Sequence, residues 1–413
     1  MLVIGGGPAG AAAAARLAAA GREVVLCERH AGRRPQVCGE FISVSAAEEL
    51  AALDLCPTAL GAAPLEEVRL VWKATELCAA LPFTAYGLSR ERLDRALLAH
   101  AARCGAKIRF TAVRSLERGQ SGWRAALSDG SAIESPVVLL ATGKHELRGH
   151  RRPAARGEPL IGFKLPWLLS ADQHAALAGR VELFWFDGGY AGLQRVEQDR
   201  ANLCLVVPAA TWRRAGASWP GLLAHLRELV PALDARLFGA RPLGPRPTTI
   251  AGLPYGYLGS GEASSEGLYR LGDQLAVIPS FTGEGIAIAL RTARLAASAV
   301  LAGEPAESFA LTARNDLHKP IRHACRIGSL AAHPAGFRLA LRIARLPGVL
   351  PALARCTRLR ARSPSSAAEA PLSSRPGDRR RRRQILPSAR ARMAIACPSN
   401  HWLYELARSR NGL

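Results

Sequence analysis

The 413-residue chain is 49% hydrophobic and long enough to bury a large core as one big or two moderate domains. Its net charge of +22 would suit a nucleic-acid binder, yet from Ala335 onward seventeen Arg stand against Glu369, Asp378 and Glu405, which is +14 of that total; the basicity belongs to a tail, and no specific nucleic-acid partner is expected. Nine scattered cysteines without a C-x-x-C pair exclude a disulfide framework or a zinc site, while the lack of a long uncharged apolar run or a secretory leader leads us to expect a cytoplasmic chain without a transmembrane helix.

The chain opens on an apolar run, Leu2, Val3 and Ile4, that enters glycines; strong helix formers follow over 11–20 and end at a C-cap, Gly21. Residues 23–28 read as a buried strand, which makes the opening a βαβ unit. Its first strand is short, and we expect a start of translation a few codons upstream. Residues 89–105 carry a helical pattern with Leu93, Leu97, Leu98 and Ala101 on one face, and 107–111 read as a strand. Asp129-Gly130 signals a hairpin turn, and 137–143 form an apolar strand running into Gly143. From about 160 to 258, aromatic and alternating runs such as 181–186 and 201–207 predict an antiparallel sheet. Residues 268–273 return as a strand and 285–301 as an Ala-rich helix. Beyond Glu304 helices dominate, with Arg338, Arg342 and Arg345 set around Phe337, Leu339, Leu341, Ile343 and Leu346. From about Arg360 a Ser/Ala/Pro-rich and then Arg-rich stretch predicts disorder.

The expected organisation is thus an α/β first domain over 1–159, with a small substrate-side segment near 65–88. An inserted sheet domain over 160–260 follows, then the rest of the first domain over 261–304. C-terminal helices over 305–360 lead to a basic tail over 361–413.

Gly5-Gly6-Gly7-Pro8-Ala9-Gly10 fits G-x-G-x-x-G between a strand and a helix, with Glu28 closing the next strand. Gly5 permits the tight turn, Gly7 lets backbone approach a pyrophosphate, and Gly10 lets helix pack on strand. Pro8 and Ala9 open the helix whose N-terminus receives the anion. Glu28 would bind the adenosine ribose hydroxyls, with Arg29 beside it. The second span, Gly272-Asp273, Pro279 and Gly283-Glu284-Gly285-Ile286, argues for FAD over NAD. Asp273 can accept hydrogen bonds from a ribityl chain, and the amides of 283–286 with their helix dipole can stabilise negative charge at flavin N1 and C2=O.

On these residues, together with Arg90-Glu91-Arg92-Leu93-Asp94, the sequence resembles the para-hydroxybenzoate hydroxylase-type flavoproteins, in particular their geranylgeranyl reductase-like and FAD-dependent monooxygenase branches. The resemblance covers roughly residues 1–301. It implies an α/β fold: a Rossmann-like, glutathione reductase-type FAD domain with an inserted antiparallel substrate sheet and a helical C-terminus. It also implies that Arg90 faces the FAD phosphates and that Cys38 and Gly39, in Cys38-Gly39-Glu40, lie near the isoalloxazine. Thr142 and Gly143 end a cofactor-side strand. There the chain reads Ala141-Thr142-Gly143-Lys144-His145-Glu146, where the hydroxylases have Asp-Gly; this leaves the electron donor open, NAD(P)H or another.

Tyr190, Tyr255, Tyr257 and His145 are substrate-side candidates, and no catalytic set is legible. The resemblance implies an FAD-dependent oxidoreductase acting on a small or lipophilic organic molecule by C=C reduction or hydroxylation. The competing class is a nucleic-acid or anionic-membrane binder working through the Arg379 to Arg383 tail. The helical region between Phe337 and Leu353 is a candidate for peripheral membrane contact.

Overall fold

Small side chains decide how the first helix sits. In the computed structural model, which describes residues 1–32, 36–153, 157–259, 266–332 and 334–360, this helix is Pro8–Ala19. It starts earlier than its alanines suggest, because Gly7 is extended (φ −75°, ψ −175°) and Pro8 supplies a helical φ at the first position. Ten of its twelve residues are buried, so it can lie close against the helices Gly285–Ala302 and Arg90–Arg103.

Beneath these helices runs a five-stranded sheet in the order Leu268–Arg270, Val138–Leu140, Leu2–Ile4, Val25–Cys27 and Lys107–Arg109, every pair parallel. Its central strands are buried along their whole length, as a sheet covered on both faces requires. The second face is covered by a three-stranded meander, Val113–Arg118, Trp123–Leu127 and Ala132–Ser135, whose Leu116, Trp123 and Ala125 pack on Leu2, Ile4 and Leu140. Gly130, at φ +85°, makes the turn between its last two strands.

The inserted sheet is larger than the insert. Leu160–Leu168, Gly179–Phe186, Gly189–Arg195 and Arg200–Pro208 pair antiparallel, and Gly179–Phe186 then pairs parallel with Ala63–Trp72, which leads to Thr75–Gly87 and Phe41–Ile42. The stretch near 65–88 is therefore an integral part of a nine-stranded mixed sheet, not a satellite. Strand periodicity sorts the two faces of that sheet. Leu203, Leu205 and Val207 pack under the helices Trp219–Leu229 and Pro231–Leu237, while Cys204 and Val206 face the side of the parallel-sheet domain.

Helices Ala306–Ala331, Pro334–Ala344 and Val349–Cys356 follow, and Phe337 and Leu341 close on Trp72 and Trp185 of the large sheet. Among the described helices, Gly285–Ala302 is long and apolar enough to cross a membrane, but 61% of it is buried and it packs against the first helix. The expected disorder and the Arg-rich run fall at 361–413, outside the described residues.

Candidate active site

The glycine loop closes only because it lacks side chains. Gly5 has φ +104°; a Cβ there would stand 2.5 Å from the Ala141 oxygen, and one on Gly10 would stand 1.9 Å from the Gly5 oxygen. Glu28 is buried at the end of its strand. Its Oε2 accepts the Gly6 N–H at 2.7 Å and its Oε1 the His30 N–H at 3.1 Å, so the acid expected at the ribose also braces the loop. Arg29 points to the exterior and does not line the cavity described below.

The second motif is tied to the first through residues 142–146, the segment that departs from the hydroxylase pattern. Gln274 Nε2 donates to the Gly143 and His145 oxygens at 2.8 and 3.0 Å. Arg152 donates to the Asp273 oxygen at 2.6 Å and to Glu146 Oε1 at 2.7 Å. Thr142 Oγ1 donates to the His145 oxygen, and Lys144 Nζ lies 3.7 Å from the Asp273 carboxylate. Pro279 precedes the short turn Ser280–Thr282, which ends at Gly283 with φ +72°; a Cβ there would meet the Phe41 ring at 2.4 Å. Gly285 and Ile286 open the long helix.

Glu284 behaves differently from the expectation that placed it beside the cofactor. Its side chain is fully buried, pairs with Arg358 and accepts the Leu359 N–H at 3.3 Å. It anchors the C-terminal segment, because a carboxylate buried there needs a cation. His145 and Tyr257 also lie outside the cavity.

Between the motifs and the large sheet lies a cavity of about 320 Å³. One end is lined by Gly7, Pro8, Ala9, Thr142, Gly143, Gly272, Asp273, Gly283, Gly285 and Ile286. Gly39, Gly143 and Gly285 have no heavy atom within 4 Å of where a Cβ would stand, so bare backbone faces the space a dinucleotide would fill. Arg90 reaches the same cavity, with its guanidinium on Asp94 at 2.9 Å twice. Burial opposes its charge, but Asp94 and the neighbouring Cys38 outweigh that and raise its pKa. These residues fit FAD: the loop and Arg90 would hold the pyrophosphate and Asp273 the ribityl chain.

Cys38, Gly39 and Glu40 also line the cavity and are held by the large sheet. Asn202 Nδ2 donates to the Cys38 and Gly39 oxygens at 3.0 Å each, and Gln194 Nε2 to the Glu40 oxygen at 2.8 Å. The Glu40 carboxylate accepts the Arg90 N–H at 2.7 Å and pairs with Lys164. Burial nevertheless raises the Glu40 pKa, with Lys164 opposing it, and Glu40 holds a left-handed φ of 60°. Cys204 faces this loop, its thiol pushed up to about 12 by burial and by Cys38 beside it.

The far end of the cavity is apolar. Val68, Leu70, Leu81, Val181, Leu183 and Trp185 form its floor; Phe337, Leu341, Leu350 and Leu353 of the C-terminal helices form its roof. Where the two ends meet, the hydroxyls of Tyr190 and Tyr255 both hydrogen-bond Ser280 Oγ. Burial raises both phenols, Tyr190 well above its ordinary value and Tyr255 to about 12. Of these groups the sequence yielded the two tyrosines; Asn202, Gln194 and Lys164 were missed, although their alternation with buried neighbours marks the face they occupy.

Two dinucleotide-binding halves on one parallel sheet, opening onto a separate substrate sheet, are the layout of an FAD-dependent oxidoreductase, and the chain is one. Residues 1–136 match the family described as FAD binding domain. The chain is similar to the menaquinone reductase of Mycolicibacterium smegmatis, 27% identical over 331 residues that cover 73% of this chain and 76% of that one. It is also similar to the aklavinone 12-hydroxylase of Streptomyces peucetius, 33% identical over 163 residues, a third of each chain. Among solved structures, a triple mutant of the flavin-dependent brominase Bmp2 superposes with a TM-score of 0.72 at 18% identity, over 86% of this chain and 94% of that one. That likeness concerns the fold.

Proposed function

We propose that the protein is an FAD-dependent reductase that saturates a C=C bond in an elongated lipophilic substrate. The observation that carries this is the apolar chamber between the large sheet and the C-terminal helices, continuous with the bare-backbone cradle between Gly143 and Gly285. A chamber lined by Leu, Val, Trp and Phe binds a hydrocarbon by removing its surface from water and offers a charged substrate nothing. The similarity to the menaquinone reductase extends over 73% of this chain, whereas that to the hydroxylase extends over a third of it.

Bound FAD would supply the two-electron redox chemistry. Arg90, Asp273 and the glycine loop would bind the cofactor, and Asn202 and Gln194 would orient the Cys38 to Glu40 loop over it. Saturating C=C also needs a proton. Tyr190 and Tyr255 keep theirs at Oη through the physiological range and stand at the junction of cradle and chamber, with Ser280 linking them. The donor of electrons is NAD(P)H or another reductant. All eight described cysteines are free, which supports a reducing, cytoplasmic compartment.

The test is anaerobic incubation of reduced, FAD-loaded protein with a panel of unsaturated lipids and quinones, read by mass spectrometry. Product carrying two added hydrogens is expected without oxygen. Product formed only with oxygen and carrying one added oxygen atom would replace reduction with hydroxylation.

A further inference from the structure

The helix that roofs the chamber is apolar on two sides. Along Pro334–Ala344 and into the following turn, three rows share the same i, i+4, i+7 spacing. Phe337, Leu341 and Ala344 are 5%, 5% and 8% exposed, and Phe337 and Leu341 pack on Trp72 and Trp185, with ring centroids 5.5 and 5.3 Å from Phe337. One step round the helix come Arg338, Arg342 and Arg345, all exposed. One step further come Leu339, Ile343 and Leu346, exposed by 53%, 44% and 58%. The first row accounts for the folding of this helix; the third does nothing for it, and three adjacent large aliphatic side chains in water form a patch that needs a partner.

The charge around the patch selects that partner. None of the three arginines pairs with a described carboxylate, and between Leu317 and Arg360 the sequence has nine Lys and Arg and no acid. A protein surface that answered this would have to be acidic at its rim and apolar at its centre. An anionic bilayer offers both at once, headgroups for the arginine row and acyl chains for the aliphatic row, to a helix lying in its plane.

We propose that Leu339, Ile343 and Leu346, with the Arg338, Arg342 and Arg345 row, dock the protein on an anionic lipid bilayer. The proposal deepens the reading of the chamber and rests on it for the origin of the substrate: the helix whose outer side meets lipid forms with its inner side the wall that a lipophilic molecule passes.

Hydrogen exchange on the full-length, FAD-loaded protein tests this, with vesicles of phosphatidylcholine containing phosphatidylglycerol and with phosphatidylcholine alone. Because the Arg-rich tail can bind anionic vesicles by itself, the readout is local: amides of 338–347 should exchange about tenfold more slowly on the mixed vesicles. The variant Leu339→Ser/Ile343→Ser/Leu346→Ser should lose this protection while keeping its FAD absorbance and melting temperature. Arg338→Gln/Arg342→Gln/Arg345→Gln should lose the preference for phosphatidylglycerol. No slowing at 338–347, or slowing that survives the serine substitutions, overturns the proposal. Protection without any saturated product would leave the docking face standing and remove the reductase reading; product without protection would do the reverse.

Discussion

Asn202 Nδ2 stands 3.0 Å from two consecutive backbone oxygens, those of Cys38 and Gly39, and so joins the substrate sheet to the loop that faces the flavin cradle. Asn202 itself is buried, Cys38 is half-buried and Gly39 is exposed. Asn202→Leu would leave the half-buried Cys38 oxygen without its donor, at a cost of about 1–3 kcal/mol, while the Gly39 oxygen can turn to water. We expect a lowered midpoint in urea and a larger loss in FAD affinity, measured by fluorescence titration. A variant with unchanged FAD affinity would show that this loop does not touch the cofactor.

Two glycines should respond in opposite ways. Gly10→Ala places a Cβ 1.9 Å from the Gly5 oxygen, so helix and loop must separate, with about 1–3 kcal/mol lost from the apoprotein. Gly285→Ala meets no heavy atom within 4 Å and adds a better helix former at the first helical position. The apoprotein should be unharmed or gain about 0.5–1 kcal/mol. With the bulkier Gly285→Val, FAD binding should nevertheless fall, because the side chain fills the cradle. Thermal melts of the apo and FAD-loaded forms separate the two effects.

Those glycines were legible in the sequence because each is forced by a local backbone demand, and the apolar strands because a doubly covered sheet admits nothing else. What escaped depends on contacts between distant segments. Nothing in 63–87 announces that Ala63–Trp72 will pair parallel with Gly179–Phe186, since the alternation of a strand says which face is buried and not which neighbour it joins. Glu284 sits in a cofactor motif by spacing, yet its direction is fixed by Arg358, 74 residues away. Lys164, Gln194 and Asn202 read as ordinary polar alternation until the fold shows that their side of the sheet is the cavity side.

Glu197 carries an acid sensitivity across the two domains. Ser89, the N-cap of helix Arg90–Arg103, donates both its N–H, at 2.8 Å, and its hydroxyl, at 2.5 Å, to this buried carboxylate. Burial pushes the Glu197 pKa up, but the Ser89 bonds and Arg200 more than offset it, and the net shift is downward from 4.5. A depressed carboxylate stabilises the fold fully above its unfolded value and loses that contribution as pH falls through the folded one. Stability should therefore decline below pH 4.5, and Glu197→Gln should be less stable at neutral pH but flatter across this window. Urea midpoints at a series of acid pH values measure both.

Tyr255 gives the alkaline counterpart and a test of the proton supply. Its phenol is raised from 10.0 to about 12, so its contribution to stability is complete below pH 10 and is lost as pH rises towards 12. Absorbance of the phenolate should show one group ionising near the upper value that is missing in Tyr255→Phe. If this hydroxyl hands on the proton, the same substitution should lower kcat by about 10²-fold, in the range usual for a general acid, with FAD affinity unchanged. A variant with full kcat would assign the proton to another group.

Arg358 connects the C-terminal helices to the start of the flavin-side helix, and its loss should be felt at both. The guanidinium pairs with the fully buried Glu284, donates to the Thr282 oxygen at 2.7 Å and lies over the Phe83 ring at 4.9 Å. Arg358→Met keeps the length of the stem but leaves a carboxylate buried without its cation, a change that costs about 3–5 kcal/mol. Glu284→Gln alone removes the charge from the more deeply buried partner, since Arg358 keeps some contact with water, and should cost less. The double variant should regain much of what Arg358→Met loses, because no isolated charge then remains. A double-mutant cycle on thermal unfolding measures this coupling. FAD affinity should follow the same order, since Glu284 directly precedes Gly285 and a carboxylate seeking water would turn the first residues of that helix with it; additive stabilities, with FAD affinity unmoved, would separate the C-terminal helices from the flavin site.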